Sequence, residues 1–98
     1  MNILEAFDLS GKTALVTGCR RGIGAAMTEA LAAAGADIVG VSATLESTGS
    51  EVQSLVEACG RNFTGYACDL GQRSAVYDFV AAVKECEATI DILINNAG

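Results

Sequence analysis

One stretch restricts the fold more than any other: Thr17-Gly18-Cys19-Arg20-Arg21-Gly22-Ile23-Gly24, set between a short apolar run and the start of a helical pattern. The run Thr13-Ala14-Leu15-Val16-Thr17 reads as a buried strand, and the helical period opens at about Gly22. Glycines at such a junction allow positive φ in a tight turn, close approach of backbone to an anion, and contact of helix with strand without a Cβ between them. The helix start then offers free N–H groups and a partial positive charge to a phosphate. A plain strand-to-helix turn would need no such spacing, and the place of the turn after a first strand argues against that simpler reading. Ser10-Gly11-Lys12-Thr13 imitates the end of a P-loop, but Ala6 stands where the first glycine is required and the triplet precedes the strand.

Beyond the turn, two periods alternate. Ile23, Met27, Ala30, Leu31 and Ala34 recur at helical spacing to about Ala34, with Gly35 as the stop. Asp37–Ser42 is a second strand. The helical period returns from about Ser47 to Cys59 through Val52, Leu55, Val56 and Cys59, with Gly60 after it. A third strand covers Asn62 to Cys68, and a third helix Arg73 to Cys86, with Val76, Phe79, Val80 and Val83 expected on its inner face. Ile90–Asn95 is apolar without alternation, as for a strand covered on both faces. The succession β-α-β-α-β-α-β predicts an α/β fold with a doubly wound parallel sheet. It makes residues 1–98 one partial dinucleotide-binding domain. Gly98 lies just past a strand of central type, where another helix is needed to cover the sheet, so we expect a truncated domain.

Composition narrows the partners. The net charge is −6 and the basic residues are not grouped, which excludes a nucleic-acid surface. No apolar run is long enough to span a bilayer, and Met1–Glu5 does not resemble a secretory leader. The four cysteines, Cys19, Cys59, Cys68 and Cys86, form no C-x-x-C pair and the chain has no histidine, so no metal site is expected. We expect a cytoplasmic protein with reduced thiols filling core space. Cys19, beside Arg20 and Arg21 at a helix start, also has the setting of a thiol with lowered pKa; a small residue accommodated in a loop is the alternative.

The T-G-x-x-x-G-I-G turn at Thr17–Gly24, the Asp69-Leu70 pair after the third strand, and Asn95-Asn96-Ala97-Gly98 after the fourth resemble the short-chain dehydrogenase/reductase family. The lead-in, the Thr17-Gly18-Cys19 stretch and Asp37–Gly40 resemble its 2-deoxy-D-gluconate 3-dehydrogenase group. The resemblance implies a Rossmann fold and a nicotinamide dinucleotide, NAD or NADP. It places Gly18, Gly22 and Gly24 at the pyrophosphate and Ile23 toward the nicotinamide. Asp69 and the Leu70 backbone would meet the adenine, and Asn95, Ala97 and Gly98 the adenosine ribose, with Asn95 also tied to Thr17. Taken singly, Asp69 could be a turn or capping residue and Asn95-Asn96 a strand exit.

Hydride transfer at a carbonyl needs a proton donor or acceptor beside the reacting oxygen, and the family supplies it with a Tyr-x-x-x-Lys pair and an upstream serine. Here Leu70 follows Tyr66 at that spacing and Ala81 follows Tyr77, so no catalytic residue is expected in the chain. The expectation is the cofactor-binding portion of an NAD(P)-dependent oxidoreductase acting on a hydroxyl or carbonyl group, a sugar acid among the candidates. The parent would be a homo-oligomer that alone meets the small-molecule substrate. A non-catalytic nucleotide-binding module and a non-functional fragment remain as alternatives. The second strand ends in Ser42 with no acid to hold ribose hydroxyls, and Arg20 and Arg21 lie in the turn. Arg21 tilts the cofactor toward NADP, whereas the sub-group resemblance tilts it toward NAD.

Overall fold

The computed structural model describes residues 8–20, 22–45, 50–69, 71–86 and 89–95. Within them four strands, β1 (Thr13–Thr17), β2 (Asp37–Ser42), β3 (Phe63–Ala67) and β4 (Ile92–Asn95), alternate with three helices, α1 (Gly22–Ala33), α2 (Glu51–Ala58) and α3 (Arg73–Cys86). The strands form one parallel sheet in the order β3-β2-β1-β4. This is the N-terminal part of a Rossmann-like α/β fold. β1 pairs with β2 from Thr13–Asp37 to Thr17–Val41, and with β4 from Ala14–Ile92 to Thr17–Asn95.

Side-chain alternation divides the core into two layers. Ala14, Val16 and Ile38 meet Ala32 of α1 and Val52 and Val56 of α2 on one face, with Phe63, Ile92 and Ile94 against them. Leu15, Val39 and Val41 meet Val83 of α3 on the other, with Ala75 and Phe79. α1 and α2 end alike. The N–H groups of Gly35 and Ala36 return to the carbonyls of Ala32 and Leu31, and those of Gly60 and Arg61 to Glu57 and Val56. Both are Schellman closures. The segment before β1 lies across the first of them, Leu9 donating to the Ala34 carbonyl at 2.8 Å.

Several side-chain expectations are corrected. α1 buries Gly24, Thr28 and Ala32, not the bulkier stripe; Ile23 is 71% exposed and Ala30 is also at the surface. Small residues win because they let the helix lie close to the sheet. On α3, Val80 is exposed, and the inner face runs through Ala75, Phe79 and Val83. β4 alternates after all: Ile92 and Ile94 are half-buried while Leu93, in register with Leu15, is 66% exposed. No described helix lies over that part of the sheet, so one face of β4 is open. α2 begins at Glu51 because Ser50 caps it, its buried side chain accepting from the Gln53 N–H at 3.1 Å; Ser47 to Gly49 lie outside the described residues.

Candidate dinucleotide site

Parallel pairing brings the carboxyl ends of all four strands to one edge of the sheet. From β1 the chain turns through α1 toward β2, and it reaches the opposite side of β1 only later, through α3 and β4. β1 is therefore the point where the winding reverses, and the crevice beyond its carboxyl end is where open α/β sheets bind ligands. The glycine turn occupies that position. Gly18 has φ 64° and Gly22 φ 61°, the left-handed region that other residues enter at a cost. The Gly18 N–H bonds the Val41 carbonyl at 2.8 Å, fastening the turn to β2.

From Gly22 the helix runs away from the crevice, so the N–H groups of its first turn face it. No acidic side chain lies in that turn to occupy them. Thr28, fully buried, donates its hydroxyl to the Gly24 carbonyl at 2.7 Å. A side chain added at Gly22 would meet nothing within 4 Å, so the backbone at the helix start is open. Arg20 lies half-buried in the turn, and Ile23 projects to solvent. These features fit a pyrophosphate.

On the other side of β1, the Thr17 hydroxyl donates to Asn95 Oδ1 at 3.1 Å and to the Ile94 carbonyl at 3.4 Å. This is the tie between central strands that the resemblance implied, and it engages the oxygen of the Asn95 amide at the exposed carboxyl end of β4. Ser42 closes β2 half-buried, its carbonyl accepting from Cys68 and Leu45. Asp69 is exposed, and its Oδ1 accepts the Gly71 N–H at 2.9 Å. The turn role considered for Asp69 is thus present in the geometry, and it holds the carboxylate at the head of the segment leading to α3. Arg21, Leu70, Asn96, Ala97 and Gly98, named from the sequence, lie outside the described residues.

Cys19 is fully buried, and burial pushes its thiol up to about 11. The lowered pKa that its neighbours suggested is overturned, because the side chain points under the turn and away from solvent. Tyr66 packs edge-on against Phe79 with ring centres 5.3 Å apart, and Tyr77 is exposed on α3, as expected of packing and surface residues. What sequence reasoning missed is Gly40. A Cβ there would come within 2.7 Å of both Cys19 Sγ and Phe63 Cζ, and nothing in a strand pattern signals that a turn residue fills this space. A depression of about 400 Å³ between Asp37, Glu57 and Asn62 lies at the amino end of the sheet, opposite to the glycine turn.

Residues 12–98 match the family model described as short chain dehydrogenase. Over 96 residues the chain is 57% identical to a 2-dehydro-3-deoxy-D-gluconate 5-dehydrogenase of Pseudoalteromonas atlantica, covering 98% of this chain and 38% of that protein. Among solved structures, it is similar to a 3-oxoacyl (acyl-carrier-protein) reductase of Agrobacterium tumefaciens with NADP bound (TM-score 0.84, 41% identity, 99% of this chain and 37% of that one). It is also similar to carveol dehydrogenase of Mycobacterium avium in complex with NAD (TM-score 0.79, 27% identity, 93% and 37%). The chain thus spans little more than a third of the length of these relatives.

Proposed function

The chain belongs to the short chain dehydrogenase family, and from that membership we infer that it is the dinucleotide-binding part of an NAD(P)-dependent oxidoreductase acting on a hydroxyl or carbonyl group of a sugar acid. The observation that carries the reading is the glycine turn at the winding reversal, with α1 opening behind it and Thr17 joined to Asn95 beside it. Residues 1–98 make one partial dinucleotide-binding domain.

The N–H groups of Gly18, Gly22, Ile23 and Gly24 receive the pyrophosphate, where a helix start and positive-φ backbone favour an anion. Thr17 orients the Asn95 amide toward the adenosine ribose, which Ala97 and Gly98 would also contact. Asp69, steadied by Gly71, accepts from the adenine amino group next to the Leu70 backbone. Ser42 meets the second ribose edge, and Arg20 and Arg21 are the residues that would receive a 2′-phosphate. Both cofactors fit, with Arg21 tilting the choice toward NADP. When bound, the dinucleotide supplies hydride chemistry. The chain's own residues bind and orient it, and none is placed as the proton-transfer group. That group and the sugar-acid pocket belong to the remainder of the protein, in line with relatives named as sugar-acid dehydrogenases. The free thiols Cys19, Cys59 and Cys68 support a cytoplasmic setting. The open apolar surface at Leu93, Tyr77 and Val80 supports further burial by the remaining chain or by a second copy in a homo-oligomer.

The test is titration of the complete gene product with NADH and NADPH, followed by nicotinamide fluorescence, before and after Arg21→Ala. Binding of either cofactor supports the reading; absence of binding for both refutes it. NADPH binding that is no tighter than NADH, or is indifferent to Arg21→Ala, removes the tilt toward NADP alone.

A further inference from the structure

We propose that Cys19 is a positioning residue for the dinucleotide: its side chain, lodged in a trough that Gly40 and Gly65 open in the sheet, fixes the height of the Gly18–Gly22 turn above the strand ends. The inference rests on the dinucleotide reading and extends it to a residue with no ligand contact of its own.

Three observations converge on the trough. First, Cys19 belongs to a surface turn, where Gly22 and Ile23 are exposed, yet it has no accessible surface and counts among the core residues of the α1–α2 face. Second, Gly40 and Gly65 are register partners on β2 and β3. A Cβ on Gly40 would lie 2.7 Å from Cys19 Sγ and 2.7 Å from Phe63 Cζ, and one on Gly65 would lie 2.9 Å from Leu45 Cδ2 and from Phe63 Cε1. The thiol, the phenyl edge and the leucine therefore occupy volume that side chains at these positions would claim. Third, the main chain reinforces the same attachment, since Gly18 and Cys19 both direct N–H groups to the Val41 carbonyl, at 2.8 and 3.4 Å.

The arrangement joins two loops. Cys19 comes from the turn assigned to the pyrophosphate, and Leu45 from the segment just past Ser42, assigned to the ribose. Both are pegged into one recess with Phe63 between them. Interiors are packed too densely for a side chain in such a recess to be enlarged or trimmed without moving its backbone. A few tenths of an ångström at Cys19 moves the N–H groups that follow it, and hydrogen bonds weaken steeply as distance and angle depart from optimum.

Size exchange tests this in the complete gene product, with NADH and NADPH dissociation constants, bound-nicotinamide emission and thermal midpoints measured on each variant. Gly40→Ala is expected to weaken dinucleotide binding about tenfold, the worth of one charge-assisted hydrogen bond to a phosphate. Cys19→Ala alone is expected to weaken it severalfold by slackening the turn. Gly40→Ala combined with Cys19→Ala is expected to bind more tightly than Gly40→Ala alone but short of wild type, because the smaller side chain at 19 relieves the contact with Sγ while that with Phe63 Cζ at 2.7 Å stays. Gly60→Ala, remote from the trough, is expected to lower the midpoint without changing affinity. If Gly40→Ala and Cys19→Ala lower the midpoint but leave affinity and emission at wild-type values, Cys19 is only a packing residue and the proposal fails. It fails equally if the double variant binds no better than Gly40→Ala. Should Gly40→Ala not fold, Cys19→Ala decides: unchanged affinity overturns the proposal. A wild-type protein that binds neither cofactor overturns the functional reading and this inference together, whereas tight wild-type binding indifferent to these substitutions overturns the inference alone.

Discussion

Replacing Gly35 with alanine should be far more damaging than the same change at Gly60, although both close a helix in the same way. Gly35 has φ 111° and Gly60 φ 76°, so each substitution forces an L-residue into left-handed backbone at about 1–2 kcal/mol, offset by up to about 1 kcal/mol from a stiffer unfolded chain. Their surroundings differ. A Cβ at Gly60 meets nothing within 4 Å, while one at Gly35 would sit 2.9 Å from Ser10 Oγ, 3.0 Å from Ser10 N and 3.2 Å from Ser10 Cα. Two of those atoms are backbone, and the segment that carries them is held by the Leu9 bond to Ala34 and by Asp8, which accepts from both the N–H and the hydroxyl of Ser10. It cannot turn aside as a flexible side chain would, so an overpacking cost of about 1–3 kcal/mol is added. The net loss should be about 3 kcal/mol for Gly35→Ala and about 1 kcal/mol for Gly60→Ala. Urea unfolding of the complete gene product, followed by far-ultraviolet circular dichroism, reads the difference as a shift in midpoint at constant slope. Adding Ser10→Gly should recover only part of it, since the backbone contacts persist. Equal destabilisation at the two positions would refute the claim that the lead-in is packed onto the end of α1.

Thr17→Val keeps the shape of the side chain but removes the donor to Asn95; because Asn95 is exposed and can turn to water, stability should fall by only about 1 kcal/mol, while dinucleotide affinity drops severalfold in a fluorescence titration. Thiol reagents should label exposed Cys59 quickly and buried Cys19 and Cys68 only on unfolding, as a timed mass-spectrometric digest would show. The Cys19 thiol holds its proton more tightly folded than unfolded, so its contribution to stability is complete below the ordinary thiol value and is lost as pH rises through about 11; Cys19→Ala should flatten that alkaline decline in a series of melts. Residues 1–98 expressed alone should show no cofactor-dependent turnover of sugar acids and should self-associate through the open face at Leu93. Steady-state rates typical of an enzyme, or monomers with cooperative unfolding in sedimentation and melting, would contradict this.

β1 and β2 were legible because strands buried on both faces need continuous apolar runs. β1 and β2 begin and end where their runs do, and α3 spans Arg73–Cys86 as its period required. The Thr17–Asn95 tie was also anticipated, through the resemblance. Less legible was which side chains a helix hides. Hydrophobic period favours Ile23 and Met27, whereas close approach to the sheet selects Gly24, Thr28 and Ala32, a choice made by distance and not by hydrophobicity. Leu93 and Val80 read as core residues, but whether they are covered depends on what lies over β4, which the strand itself does not encode. Cys19 misled for a related reason. Its charged neighbours are visible in the sequence, but the empty volume at Gly40 appears only when β2 lies beside the turn.

The central place of β1 also governs how the chain reaches its fold. Its partner β2 follows after one helix, but β4 is far away in sequence: Asp91 accepts from the Thr13 N–H across a separation of 78 residues, and Thr17 meets Asn95 at the same remove. Closing so long a loop costs entropy before any strand pairing compensates for it, and folds dominated by distant pairings are slow to form. Of these four strands β1 is made first and waits longest, its edge toward β4 unpaired until the Ile92–Asn95 segment arrives. The part of the sheet made by β1, β2 and β3 needs no contact with β4, so the crevice beside Asn95 is expected to be completed last, after the glycine turn has been fastened to β2.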